Sequence, residues 1–106
     1  MGKRILFILI ALSMSSVMTF GVMTKQFTLV VDAGHGGHDT GALGAFSKEK
    51  DINLNVALAF GKLVEKNCPD VKVIYTRKTD IFIPLQERAD IANKAGADLF
   101  VSIHTN

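Results

Sequence analysis

Three short apolar runs rich in β-branched residues alternate with segments of helical period, and no other feature constrains the fold as much. The runs are residues 27–31, 71–76 and 98–103. Between the first two, residues 51–66 repeat apolar side chains at intervals of three and four: Ile52, Val56, Ala59, Phe60 and Leu63, with Leu54, Ala57, Leu58 and Val64 widening the stripe. Asp51 is placed to cap this helix, and Cys68-Pro69-Asp70 to stop it. Residues 85–95 form a second helix, turned inward on Leu85, Ala89, Ile91 and Ala92 and closed by Gly96. The first run is short and apolar throughout, as in a strand buried on both faces. Strand, helix, strand, helix, strand predicts an α/β fold, three-layered around a mainly parallel sheet with right-handed crossovers.

The stretch from Val30 to Gly44 breaks this regularity. It carries Gly34, Gly36, Gly37, Gly41 and Gly44, two histidines (His35, His38) and two aspartates (Asp32, Asp39). Parallel sheets bind ligands beyond the carboxyl ends of their strands. His35 lies just past the first run, His104 ends the third, and Glu49 stands just before the first helix, so all three belong to that edge. Zinc takes imidazole nitrogen and carboxylate oxygen, and catalytic sites keep one position for water. His35, Glu49 and His104 are therefore the candidate ligands. Each also has a plainer reading: a histidine in a turn, a glutamate complementing a helix dipole, a solvated histidine at a strand end. Their spacing matches no short metal signature. The residues argue against a nucleotide loop, because Asp39 stands where the third glycine of the Gly-x-Gly-x-x-Gly pattern begun by Gly34 and Gly36 would be and would repel a phosphate.

With 106 residues the chain supports one small core. It has 12 Lys+Arg and 10 Asp+Glu, but two of the basic residues, Lys3 and Arg4, belong to the N-terminus. The remainder is neutral and has no basic run, which argues against a nucleic-acid partner. Residues 1–24 have the order of a secretory signal peptide: Lys3 and Arg4, an apolar run from Ile5 to Leu12, then Ser13, Ser15, Ser16 and Thr19. Thr19 and Gly21 put small residues two apart, as at a cleavage site. The alternatives are an N-terminal membrane anchor, since the apolar stretch approaches the ~20 residues of a span, and a buried helix. The lone Cys68 can form no internal disulfide and reads as a packing residue.

Five blocks then resemble a known family. They are Val30 to Gly44; Lys48-Glu49-Lys50-Asp51-Ile52-Asn53-Leu54; Tyr75-Thr76-Arg77-Lys78-Thr79-Asp80; Leu85 to Asn93; and Ala97 to Asn106. Together they resemble the zinc-dependent N-acetylmuramoyl-L-alanine amidases of the type 3 amidase family. The resemblance implies that His35, Glu49 and His104 bind Zn2+. It implies hydrolysis of the amide between N-acetylmuramic acid and the L-alanine of the stem peptide, with peptidoglycan as partner, in a protein exported to the bacterial envelope. A monomer is expected, touching the membrane transiently through its N-terminal segment. Asp32 is expected to orient a ligand histidine or to form the turn, Arg77 and Asp80 to pair locally, and Arg88 to bridge to a carboxylate. Ser102 and Asn106 flank His104 and would fix its rotamer or touch substrate; His38 is a loop residue. Family members continue past the last histidine and carry there the glutamate that serves as general base. The expectation is therefore that residues 25–106 are the N-terminal part of the catalytic domain, its first βαβαβ portion. The rival expectation is an inactive envelope protein that binds zinc or peptidoglycan without cleaving it.

Overall fold

The computed structural model describes residues 25–106, so the expected signal peptide or anchor at residues 1–24 lies outside the described residues. Five elements follow in order: β1 (Phe27–Ala33), α1 (Glu49–Asn67), β2 (Val71–Tyr75), α2 (Leu85–Lys94) and β3 (Leu99–Ile103). The strands form one parallel sheet in the order β2-β1-β3. Parallel neighbours need crossover connections, and the two helices supply them. The α/β expectation is met, and β1 is the central strand, with Val30 and Val31 both fully buried. It runs two residues beyond the expected end because Asp32 and Ala33 pair with Ser102 and Ile103 of β3.

Alternate residues of β1 serve opposite faces. Leu29, Val31 and Ala33 pack with Ala57 of α1, joined by Leu54, Phe60, Val64, Val73, Tyr75 and Val101. Asp32 faces the other way and meets Arg88 of α2. The chain thus goes from β1 to β2 over one face and from β2 to β3 over the other. At the carboxyl end of β1 the strand order reverses, and such switch points open a crevice for ligands.

The helices sit differently from their apolar periodicity. Ile52, Val56, Ala59 and Leu63 of α1 are exposed, and the inward face is Asn53, Leu54, Ala57, Phe60, Gly61 and Val64. Close approach decides this. A Cβ on Gly61 would come within 2.1 Å of the Tyr75 hydroxyl, and the Asn53 amide bonds the Gly34 carbonyl at 3.1 Å. Small and polar residues spaced by four let the helix settle onto the sheet, with Leu54, Phe60 and Val64 beside them, so only the Ile52, Val56, Ala59 and Leu63 side of the apolar stripe is left outward. In α2, Ala92 is buried and Ile91 half-buried as expected, but Leu85 and Ala89 are exposed and Arg88 is buried instead. Its guanidinium reaches under the helix to β1.

Asp51 is not the cap of α1; it is an exposed first-turn residue. The helix begins at Glu49, and its first N–H groups find backbone acceptors. Glu49 donates to the Ala42 carbonyl at 2.9 Å and Lys50 to that of Thr40 at 3.0 Å. Loop carbonyls thus do the work that a capping side chain does elsewhere. Cys68 is the C-terminal cap, half-buried and free. Gly96 follows α2 at φ 62°, as its role as a stop requires.

Candidate metal centre

The site is built on the loop leaving β1. His35, Gly36 and Gly37 have φ of 63°, 131° and 58° in succession. Backbone bonds between Gly36 and Asp39, at 2.8 and 3.1 Å, close the turn. For a histidine the left-handed conformation costs roughly 1–3 kcal/mol and needs support from its surroundings. Two buried arginines give that support. Arg77 donates to the carbonyls of Ala33 (2.9 Å), Gly34 (3.0 Å) and Lys50 (2.9 Å). Arg88 donates to the carbonyls of Ala33 and His35 (2.6 and 2.7 Å) and to Asp32 (2.8 Å). Lys50 and Asp80 grip Gly37 from both sides: the ammonium bonds its carbonyl at 3.0 Å, and the carboxylate accepts its N–H at 2.8 Å.

On this platform the three candidate ligands meet. His35 Nε2 lies 3.2 Å from Glu49 Oε2, and His104 Nδ1 lies 3.1 Å from the same oxygen. One donor atom from each residue falls within 4.8 Å of the others. The two imidazole planes stand at 87°, centroids 5.0 Å apart. Glycine makes the room: a Cβ on Gly34 would lie 2.3 Å from the His104 ring, and one on Gly41 2.6 Å from that of His35.

Glu49 is buried and well supplied with donors. Oε1 accepts the Ala42 N–H at 3.0 Å, while Oε2 accepts from Asn53 at 3.2 Å and the Thr105 N–H at 3.3 Å. The Ala42 N–H is the largest influence on its pKa. With help from Asn53, His104 and Thr105 it outweighs burial and lowers that pKa to about 2. Glu49 is a carboxylate at any physiological pH. Asn53, itself fully buried, is held in turn by the Thr105 hydroxyl at 3.0 Å.

The donor chemistry fits zinc. Two imidazole nitrogens and a carboxylate oxygen are a catalytic zinc set. Tetrahedral donors at ~2.0–2.1 Å from one ion stand roughly 3.3 Å apart, close to the separations at Glu49 Oε2. Among the described residues this is the one His/Cys/Asp/Glu group that meets the geometric requirement for an ion.

Other expectations come out differently. Asp32 does not touch a histidine. It accepts from Thr76 (2.7 Å), Ser102 (2.7 Å) and Arg88 (2.8 Å), so it ties the carboxyl ends of the sheet to α2. The carboxylate that meets His35 belongs to Asp39, which the sequence reading used only to exclude a phosphate. Arg77 is spent on carbonyls, and Asp80 pairs with Lys50 at 2.7 Å rather than with Arg77. Ser102 is committed to Asp32, so it does not set the His104 rotamer. His38 stays in the loop, its ring 4.2 Å from that of Phe82. Asn53, Ala42 and Thr105 were missed as supports of Glu49. Asn53 had a signal: it lies four residues after Glu49, on the same helix face.

Comparison with known proteins gives a consistent picture. The family model Amidase_3, described as N-acetylmuramoyl-L-alanine amidase, matches residues 29–106. The N-acetylmuramoyl-L-alanine amidase AmiC of Escherichia coli is 47% identical over 83 residues, covering 77% of this chain and 20% of that protein. The sporulation-specific amidase of Bacillus subtilis is 39% identical over 84 residues, 79% of this chain and 32% of its own length. The catalytic domain of CwlV from Paenibacillus polymyxa superposes with a TM-score of 0.73 at 40% identity, over 76% of this chain and 45% of that domain. The chain thus spans a fifth to a third of these curated relatives and under half of that domain.

Proposed function

The chain belongs to the Amidase_3 family of N-acetylmuramoyl-L-alanine amidases, and from that premise we propose that it carries the zinc-binding part of a peptidoglycan hydrolase of the bacterial envelope. The bond in question is the amide between N-acetylmuramic acid and the L-alanine of the stem peptide. The observation that supports this most is the convergence of His35 Nε2 and His104 Nδ1 on one oxygen of Glu49, with two glycines clearing space for the rings. Zinc held there would supply Lewis acidity toward a carbonyl and lower the pKa of water toward ~7. The chain's own residues hold and orient: Asn53, Ala42 and Thr105 keep Glu49 ionised and aimed, and Arg77 and Arg88 keep His35 at the rim of the sheet. In this reading residues 25–106 are catalytic-domain sequence, the protein acts as a monomer, and residues 1–24 direct export.

A second reading rests on the acids near the centre. Asp32 is saturated by Arg88, Thr76 and Ser102, Asp39 is tied to His35 and the Gly41 N–H, and Asp80 is paired with Lys50. Among these described carboxylates none is free to act as a general base. A protein that holds zinc or peptidoglycan without cutting it follows if no other residue supplies that base.

The test has two parts. The purified protein is expected to bind one zinc, and His35→Ala to lose it; unchanged stoichiometry in that variant overturns the ligand set. Zinc-loaded protein is then incubated with purified peptidoglycan. Release of peptides with a free L-alanine N-terminus supports the amidase, and zinc binding without release selects the second reading.

A further inference from the structure

We propose that Asp39 is a positioning residue for the metal, setting which nitrogen of His35 is offered to it; this rests on the metal reading above. Asp39 Oδ2 lies 2.9 Å from His35 Nδ1. Its other oxygen accepts the Gly41 N–H at 3.2 Å. The Asp39 backbone is itself tied to Gly36 through both N–H and carbonyl. A carboxylate held by one hydrogen bond, on a residue whose backbone makes two more, thus faces Nδ1 of a ring that is 27% exposed.

The consequence follows from the imidazole. A carboxylate only accepts, so Nδ1 must carry a proton to bond it. In the neutral ring Nε2 is then bare, and its lone pair points at Glu49 Oε2 from 3.2 Å. Two acceptors at that distance repel unless a proton or a cation lies between them. Asp39 therefore builds the demand for a cation into His35. Without it the part-buried ring could turn over and present either nitrogen. His104 shows the contrast: its Nδ1 is the nitrogen facing Glu49, and among the described residues no carboxylate anchors its other nitrogen. A carboxylate behind a ligand histidine typically contributes roughly 10–100-fold in metal affinity.

The experiment compares wild type, Asp39→Ala and Asp39→Asn as full chains. Zinc affinity is measured by competition with a chelator, with thermal unfolding of the zinc-free proteins and 15N ring spectra of the zinc-loaded ones alongside. The expected result is about a 10–100-fold loss of affinity in Asp39→Ala, with little change in the zinc-free melting temperature. Asp39→Asn should recover most of the loss, because its amide oxygen still accepts from Nδ1–H. In the zinc-loaded wild type the His35 ring should carry its proton on Nδ1, and Asp39→Ala should lose the hydrogen-bonded signature of that proton. Wild-type affinity in Asp39→Ala, or a His35 proton resident on Nε2 in the zinc-loaded wild type, overturns the proposal. So does a joint fall of affinity and zinc-free stability that Asn does not rescue, which marks Asp39 as scaffold only. If wild type binds no zinc, the metal reading fails; if it binds zinc and Asp39→Ala binds it equally, the metal reading stands and the role of Asp39 alone is ruled out.

Discussion

Asp32 and Glu49 are both 4% exposed at the same edge of the sheet, and their surroundings differ in one respect. Burial pushes the Asp32 pKa up, but hydrogen bonds from Ser102, Thr76 and Arg88 outweigh it and hold the pKa below the usual carboxylate range. One of those donors, the Arg88 guanidinium, brings a permanent positive charge to 2.8 Å. Glu49 is held ionised by uncharged donors: the N–H groups of Ala42 and Thr105, the Asn53 amide and an imidazole. The Asp32 cluster is electrically complete. The Glu49 cluster is one positive charge short, and two imidazoles surround the place where it would go. Buried charges are paired or coordinate metals; the Asp32 cluster displays the first solution, and the Glu49 cluster has the donor set for the second.

The strongest challenge to this contrast is Arg88→Leu. It leaves Asp32 buried without its cation and frees the His35 carbonyl. The expected loss is about 3–5 kcal/mol of unfolding free energy, read from urea denaturation of the zinc-free protein. A loss near zero would show that Asp32 does not depend on its built-in charge.

Glu49 should respond in the opposite sense. Zinc at a hundred times its dissociation constant should stabilise the wild type by about 2.7 kcal/mol, and a chelator should reverse this. Glu49→Gln keeps the shape but removes the charge, and it should abolish the zinc-induced shift in melting temperature. If the shift survives in that variant, the missing charge was not at Glu49.

The smallest expected effect is on acid stability. The folded pKa values of Asp32 and Glu49 are both depressed, so their stabilisation is fully present above the unfolded carboxylate values near 4. It should be lost as pH falls from there through the folded values, to about 2 for Glu49. The zinc-free protein should therefore show its steepest loss of melting temperature below about pH 4, and a flat profile in that range contradicts both assignments.

The sequence disclosed the parts of this molecule that depend on residue type. Apolar β-branched runs between helical segments gave the sheet, and the position of His35 and His104 at strand ends and of Glu49 at a helix start brought them to one edge before any contact was visible. What it concealed depends on where backbone groups point. Arg77 and Arg88 spend their donors mainly on carbonyls, which every residue carries, so nothing in the sequence shows which of them will be bonded. Asp51 looked like a cap because the carbonyls of Ala42 and Thr40, which satisfy the first turn, leave no mark on side-chain identity. The orientation of α1 was obscured for a related reason: Gly61 sets the fit by its lack of a side chain and Asn53 by a hydrogen bond to the Gly34 carbonyl, and an apolar stripe counts neither. Asp32 does not reach a histidine because β1 extends two residues further than its apolar run, which carries Asp32 into the sheet and leaves Asp39 as the loop carboxylate beside His35.

The order in which the donors occur along the chain bears on how the fold is acquired. His35 and Glu49 arrive with the first strand–helix unit, whereas His104 lies 55 residues after Glu49, at the end of an edge strand. The third ligand is available only after β3 has docked. An ion shared by all three would fasten that edge to the centre of the sheet, closing a loop whose entropy in a free chain scales as (3/2)RT ln n, roughly 3.5 kcal/mol at this length. The centre would then act as a latch on topology, rewarding the slow long-range pairing that parallel sheets complete last.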